Sequence, residues 1–169
     1  MEIINIRRSV RKFNDKPIEK EKIELILRAA MQAPSARNQQ PWKFLVSENK
    51  ETFEKLSNAT PNMSFINGAS LVIVYLTDLT SLKTPMMYPQ DLSAAIENSL
   101  LEACSLGIGS CWCGTYPNGE RMQKVREIFN LDNDLEPFAV VGFGYPEDEN
   151  SFKFVDRFDE KKIIYEKVK

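Results

Sequence analysis

The sequence predicts an α+β domain in which helices are layered on a sheet. Three observations predict it. Leu71-Val72-Ile73-Val74-Tyr75-Leu76 is a continuous, largely β-branched run, the pattern of a strand buried on both faces. Phe138-Ala139-Val140-Val141 is a second buried strand. Residues 19–32 and 91–106 carry apolar side chains three and four apart, the helical period. Three or four strands mixed with about five helices make a layered α+β domain. The 169 residues fit one domain over 1–169, since domains run to about 100–200 residues.

Taken in order, residues 2–8 form a short helix that delivers an Arg cluster at its end. Asp15-Lys16-Pro17 breaks the chain, because Pro disfavours a helical residue before it. A helix follows over 19–32, with Ile23, Ile26, Leu27, Ala30 and Met31 in one stripe. Pro34 ends it, and residues 33–41 are a polar loop. Residues 42–47 suit a strand, and residues 48–58 a helix with Phe53 and Leu56 inward. The 71–76 strand leads into a loop over 78–89, a connection or a mobile lid, that contains Pro85-Met86-Met87-Tyr88-Pro89.

Residues 91–106 are the strongest helix. Leu92, Ala95, Ile96, Ser99, Leu100, Ala103 and Leu106 form its buried face. The other face has so few polar groups (Ser93, Glu97, Glu102) that it is expected to be covered too. Gly107 suits a left-handed cap. Residues 108–114 read as a small-residue strand. Pro117-Asn118-Gly119 turns the chain into a helix over 120–129, and residues 136–144 hold the Phe138 strand. Beyond Pro146 the chain is polar with few apolar anchors, placed to wrap over a partner subunit.

Composition narrows the function. A net charge of −2 and a pI near 5.4 argue against a nucleic-acid binder. No apolar run approaches the ~20 residues of a membrane helix, and the start lacks a basic segment followed by an apolar core. Cys104, Cys111 and Cys113 are an odd, sparse set, unlike a disulfide framework. These features predict a cytoplasmic protein that binds neither membrane nor nucleic acid. Histidine is absent, which removes Ser-His-Asp and Cys-His catalysis and His-ligated metals. No metal site is expected. A bound cofactor is the economical source of any chemistry.

Three segments carry chemistry. Arg7-Arg8-Ser9-Val10-Arg11 sets three guanidinium groups and a hydroxyl within five residues, a seat for a phosphorylated molecule or a solvated charge run. Pro34-Ser35-Ala36-Arg37-Asn38-Gln39-Gln40-Pro41-Trp42 concentrates hydroxyl and amide groups between prolines. Ser35, Asn38, Gln39 and Gln40 suit hydrogen bonding to a heteroaromatic ring such as an isoalloxazine, or an ordinary loop. Cys111-Trp112-Cys113 is C-x-C rather than C-x-x-C, and reads as two packed thiols beside a buried Trp. No G-x-G-x-x-G or G-x-x-x-x-G-K-[ST] occurs, which disfavours a dinucleotide or nucleoside triphosphate in a standard fold.

The first two segments, followed by Asp91-Leu92-Ser93-Ala94-Ala95-Ile96-Glu97-Asn98, Leu106-Gly107-Ile108-Gly109-Ser110-Cys111-Trp112 and Gly142-Phe143-Gly144-Tyr145-Pro146, resemble the FMN-dependent nitroreductase family over nearly the whole chain. The resemblance implies a mostly antiparallel sheet flanked by helices, an intertwined homodimer, and FMN in interface clefts. By position, it gives Arg7, Arg8 and Ser9 to the phosphate and ribityl chain and Arg11 to the N1/O2 edge of the ring. It brings Pro34, Ser35, Ala36 and Asn38 from the other subunit and sets Asn62 near the ring. Trp112, Cys113 and Gly114 line one ring face, mainly through backbone, and Arg157, with Lys153 beside it, closes on the phosphate. No side chain is needed as a catalytic acid; flavin N5 carries the hydride. The implied activity is transfer from NADH or NADPH to a small-molecule electron acceptor such as a nitroaromatic or quinone. The alternative is a non-catalytic protein that binds, stores or senses FMN.

Overall fold

The computed structural model describes residues 3–166. Four strands, β1 (Trp42–Ser47), β2 (Leu71–Asp78), β3 (Gly109–Gly114) and β4 (Leu135–Gly144), form an antiparallel sheet in the order β1-β2-β4-β3. The two continuous apolar runs take its centre. Ile73 lies opposite Val141 and Val74 opposite Val140. Leu71 through Tyr75 are fully buried, each aliphatic side chain contributing roughly 1.5–3 kcal/mol relative to exposure.

Both faces are covered, as a continuous rather than alternating pattern requires. Leu71, Ile73 and Tyr75 pack with Ala139, Val141 and Phe143 against α2 (Lys20–Met31) and α4 (Tyr88–Ser105). Val72, Val74, Leu76 and Val140 pack with Cys113 against α3 (Lys50–Ala59), α5 (Gly119–Phe129) and a 3-10 run over Pro61–Gly68. Ser93, Glu97 and Glu102 on the second face of α4 are half-buried, and α1 (Ile3–Ile6) packs on that helix.

The N-terminal segment covers the outer edge of β3. Ser9 bridges Ser110 in parallel, and the Val10 N–H donates to the Ser110 carbonyl at 2.9 Å. Gly109 permits this approach: a Cβ there would lie 2.7 Å from Val10 Cβ. The Arg cluster is thereby laid along the sheet edge.

Several boundaries differ from expectation. The first helix covers Ile3–Ile6, and residue 2 lies outside the described residues. Arg8 stops it by donating from Nη1 to the Arg7 carbonyl at 2.6 Å and from Nη2 to the Asn5 carbonyl at 3.0 Å. The helix α4 begins at Tyr88, so Tyr88 and Pro89 belong to it rather than to the preceding loop. Proline fits a first turn because its missing N–H has no partner there. Met31 is 48% exposed rather than part of the α2 stripe. At 3.6 residues per turn it sits about 80° from Ile23, while Ile26, Leu27 and Ala30 fall within about 60°. Gly107 does adopt a positive φ, 74°.

Candidate functional site

A cleft of about 470 Å³ opens beside β3. Residues 60–65 form one wall, residues 111–114 the floor, and Arg11 and Arg121 two further sides. Pro61 starts the 3-10 wall, and buried Met63 and Ile66 pin it to the sheet. Arg11 arrives because the bridge at Ser9 holds its segment on β3. Arg121 arrives on the first turn of α5, where Asn118 Oδ1 accepts from the Arg121 N–H at 3.0 Å; its Nη1 donates to the Gly114 carbonyl at 3.3 Å.

Neither guanidinium has a carboxylate within ion-pair distance among the described residues. The buried Thr60 hydroxyl on the wall has no protein partner, and such groups are ordinarily satisfied. Two guanidinium groups without carboxylate partners and an unsatisfied hydroxyl suit an anionic, hydrogen-bonding molecule. FMN meets that description.

The rest of the Arg cluster faces a second concavity, of about 260 Å³. Arg7 and Arg8 line it with Asn5, Asp156 and Arg157. Arg7 Nε also lies 3.3 Å from Glu97 Oε1. Ser9 is exposed between the two sites, and with Arg11 it borders a shallow hollow shared with Asp148 and Ser151. Lys153 is exposed and lies outside the Arg7 concavity. Its charge adds to the Asn150 hydrogen bonds that lower the Asp148 carboxyl below its ordinary range.

Of the predicted residues, Arg11, Asn62, Trp112, Cys113 and Gly114 share the large cleft, while Arg7, Arg8 and Arg157 share the smaller one. Pro34, Ser35, Ala36 and Asn38 line neither. Their loop is instead stapled to α4. Asp91 Oδ1 accepts from the Ala36 N–H at 2.9 Å, and Asp91 Oδ2 accepts from Gln39 Nε2. Gln39 is buried, and its Oε1 takes the N–H groups of Lys83 and Thr84. Its amide is therefore consumed inside the chain and is not free for a ring, as the sequence had suggested. Arg37, Asn38 and Gln40 hold left-handed backbone at φ 52°, 49° and 46°.

Trp112 is half-buried rather than buried, on the strand face opposite Cys111 and Cys113. Cys111 and Cys113 are free and buried. Cys113 Sγ donates its one proton to the Asn62 carbonyl at 3.2 Å. The adjacent Cys113 thiol and Arg11 bring the Cys111 thiol below its ordinary range, and the Cys113 thiol moves up through its proximity to Cys111 and through burial. Sequence reasoning missed Arg121 and the wall residues other than Asn62. A cation in the first turn of a helix opposes the helix dipole, and that conflict was the available signal for Arg121.

A helix-covered antiparallel sheet with a cationic cleft at its edge defines an α+β fold with a ligand-sized cavity. The chain belongs to the nitroreductase family, whose model matches residues 4–78 and 57–145. A protein of Archaeoglobus fulgidus with the provisional name NADH dehydrogenase/NAD(P)H nitroreductase is 45% identical over 169 residues, covering 99% of this chain and 97% of the relative. A solved structure from Clostridium acetobutylicum, provisionally named an NADH oxidase, superposes with a TM-score of 0.94 at 50% identity, covering 98% of this chain and 99% of that one. A nitroreductase-like structure from Desulfovibrio desulfuricans, solved in complex with FMN, superposes with a TM-score of 0.83 at 27% identity, covering 99% and 96%.

Proposed function

We propose that this chain is an FMN-dependent oxidoreductase that draws a hydride from NADH or NADPH and reduces a small oxidised acceptor, such as a nitroaromatic or a quinone. The observation that carries the reading is the course of residues 7–11, from an Arg-lined concavity to a larger cleft with two unpaired guanidinium groups. FMN, when bound, supplies the centre that accepts and donates the hydride. Arg7, Arg8, Ser9 and Arg157 hold the phosphate and ribityl chain, with Lys153 at the margin. Arg11 supplies a fixed cation for the charge that reduction places near N1 of the ring. Asn62 and the backbone of Trp112, Cys113 and Gly114 position the ring.

Pro34, Ser35, Ala36 and Asn38 reach the ring from the partner in a homodimer. Support for the dimer lies in the tail, where Phe154, Phe158, Ile164 and Tyr165 are 54%, 75%, 94% and 75% exposed. Apolar side chains in that number call for a covering surface. The two apolar clusters share one sheet, which supports a single domain over 1–169. Three free cysteines suit the cytoplasm. No helix among the described residues is long and apolar enough to cross a membrane.

The test is FMN titration of the apoprotein. Arg7→Ala weakens binding more than about tenfold, on the order of 1.5–3 kcal/mol for a lost charge-assisted contact. Arg11→Ala lowers the flavin midpoint potential more than it weakens binding. Equal FMN affinity in Arg7→Ala and the parent removes Arg7 from the site. An unchanged potential with collapsed affinity makes Arg11 an anchor instead.

A further inference from the structure

Arg121 lines the large cleft and has no task in the reading above. FMN is anionic at its phosphate and, once reduced, near N1 of the ring. Arg7, Arg8 and Arg157 answer the first charge and Arg11 the second. FMN has no third anionic group, so Arg121 is a surplus cation in the cleft.

Nor does its charge serve the fold. Arg121 stands in the first turn of α5, where a cation opposes the helix dipole. The adjacent Glu120 is taken by Lys124, with Oε1 and Nζ 2.8 Å apart. No carboxylate among the described residues lies within ion-pair distance of Arg121. The side chain is nonetheless oriented. It is half-buried, and its Nη1 donates to the Gly114 carbonyl at 3.3 Å, on the floor of the cleft. That is the only hydrogen bond its guanidinium makes among the described residues, so the other N–H donors of the fork are unspent.

The number of cations separates two kinds of anion. Three guanidinium groups gather at the smaller concavity, as suits a phosphate. A single planar fork matches one carboxylate, whose two oxygens accept parallel N–H bonds.

We propose that Arg121 binds a carboxylate on the electron acceptor, so that the preferred acceptors are small nitroaromatics or quinones that carry an acid group. This rests on the FMN reading and adds the charge of the substrate to it. The carboxylate is not the reacting group. Its contact is made alike in the ground and transition states and therefore acts on KM rather than kcat.

The test compares para-nitrobenzoate with nitrobenzene as acceptors for the FMN-loaded protein, in the parent, Arg121→Gln and Arg121→Lys. Gln removes the charge and keeps a donor for the Gly114 carbonyl; Lys keeps the charge and loses the fork. The parent is expected to favour para-nitrobenzoate. In Arg121→Gln the ratio of the two kcat/KM values falls about tenfold or more, through KM, and Arg121→Lys recovers part of it. Calorimetry with benzoate reads the same contact without turnover. Arg121→Gln weakens benzoate binding about tenfold or more, while neutral benzyl alcohol binds parent and variant alike. Equal benzoate affinity in parent and Arg121→Gln overturns the proposal. So does a loss of FMN affinity in Arg121→Gln as large as in Arg7→Ala, which makes Arg121 a flavin anchor. A lost preference for NADPH over NADH with the acceptor ratio intact also overturns it, and assigns the fork to the ribose phosphate of the donor. A parent that binds no FMN defeats the underlying reading and this proposal with it; a parent that binds FMN but ignores the carboxylate defeats this proposal alone.

Discussion

Asp91→Ala probes how the strained 34–40 loop is held. The carboxylate, 4% exposed, accepts from the Ala36 N–H and from Gln39 Nε2. Each bond to a charged acceptor is worth roughly 1.5–3 kcal/mol, so the two together supply up to about 6 kcal/mol. Removing them frees the loop from left-handed backbone at Arg37, Asn38 and Gln40, which returns about 1 kcal/mol per residue. With about 4.5 kcal/mol from the middle of the two-bond range, the net destabilisation is about 1.5 kcal/mol. Asp91→Asn keeps one acceptor oxygen and should lose about half of that. Urea unfolding with an unchanged denaturant slope measures both. An Asp91→Ala chain within about 0.5 kcal/mol of the parent would refute the staple, because a surface-like substitution falls in that range.

Gly109→Ala places a methyl 2.7 Å from Val10 Cβ. It should destabilise the chain by about 1–3 kcal/mol and displace residues 9–13, so that FMN affinity falls along with the melting temperature; two unchanged values would detach the segment from β3. Glu19 is held at about 2 instead of 4.5, chiefly by the Tyr145 hydroxyl. A lowered folded-state value contributes stability above about pH 4.5 that is lost as pH falls toward 2. Glu19→Gln should flatten the acid limb in that window, and identical acid-unfolding curves would show that the contact does not survive in solution.

The centre of the fold was legible because Leu71–Leu76 and Phe138–Val141 can be satisfied only between two covered faces. The wall over 61–68 was not, since its 3-10 turns follow neither the helical nor the strand period. The start of α4 was misread because Pro89 looks like a breaker in sequence, yet costs nothing in a first turn. In the site, Arg11 and the 111–114 strand were legible by family pattern, and the structure brings both to one cleft. Arg121 was not, because its approach depends on how α5 returns across the sheet. Gln39 shows the opposite limit: an exposed-looking amide in a polar loop is in fact buried on Asp91, and no local pattern reveals a partner 52 residues away.

Anaerobic rapid mixing of the FMN-loaded protein with NADH, and separately with NADPH, tests the central claim most directly. The account predicts that at least one donor bleaches the visible flavin absorbance, and that a quinone or nitroaromatic then restores it. A protein that holds FMN and is bleached by neither donor would contradict the enzyme reading and leave a non-catalytic flavin binder.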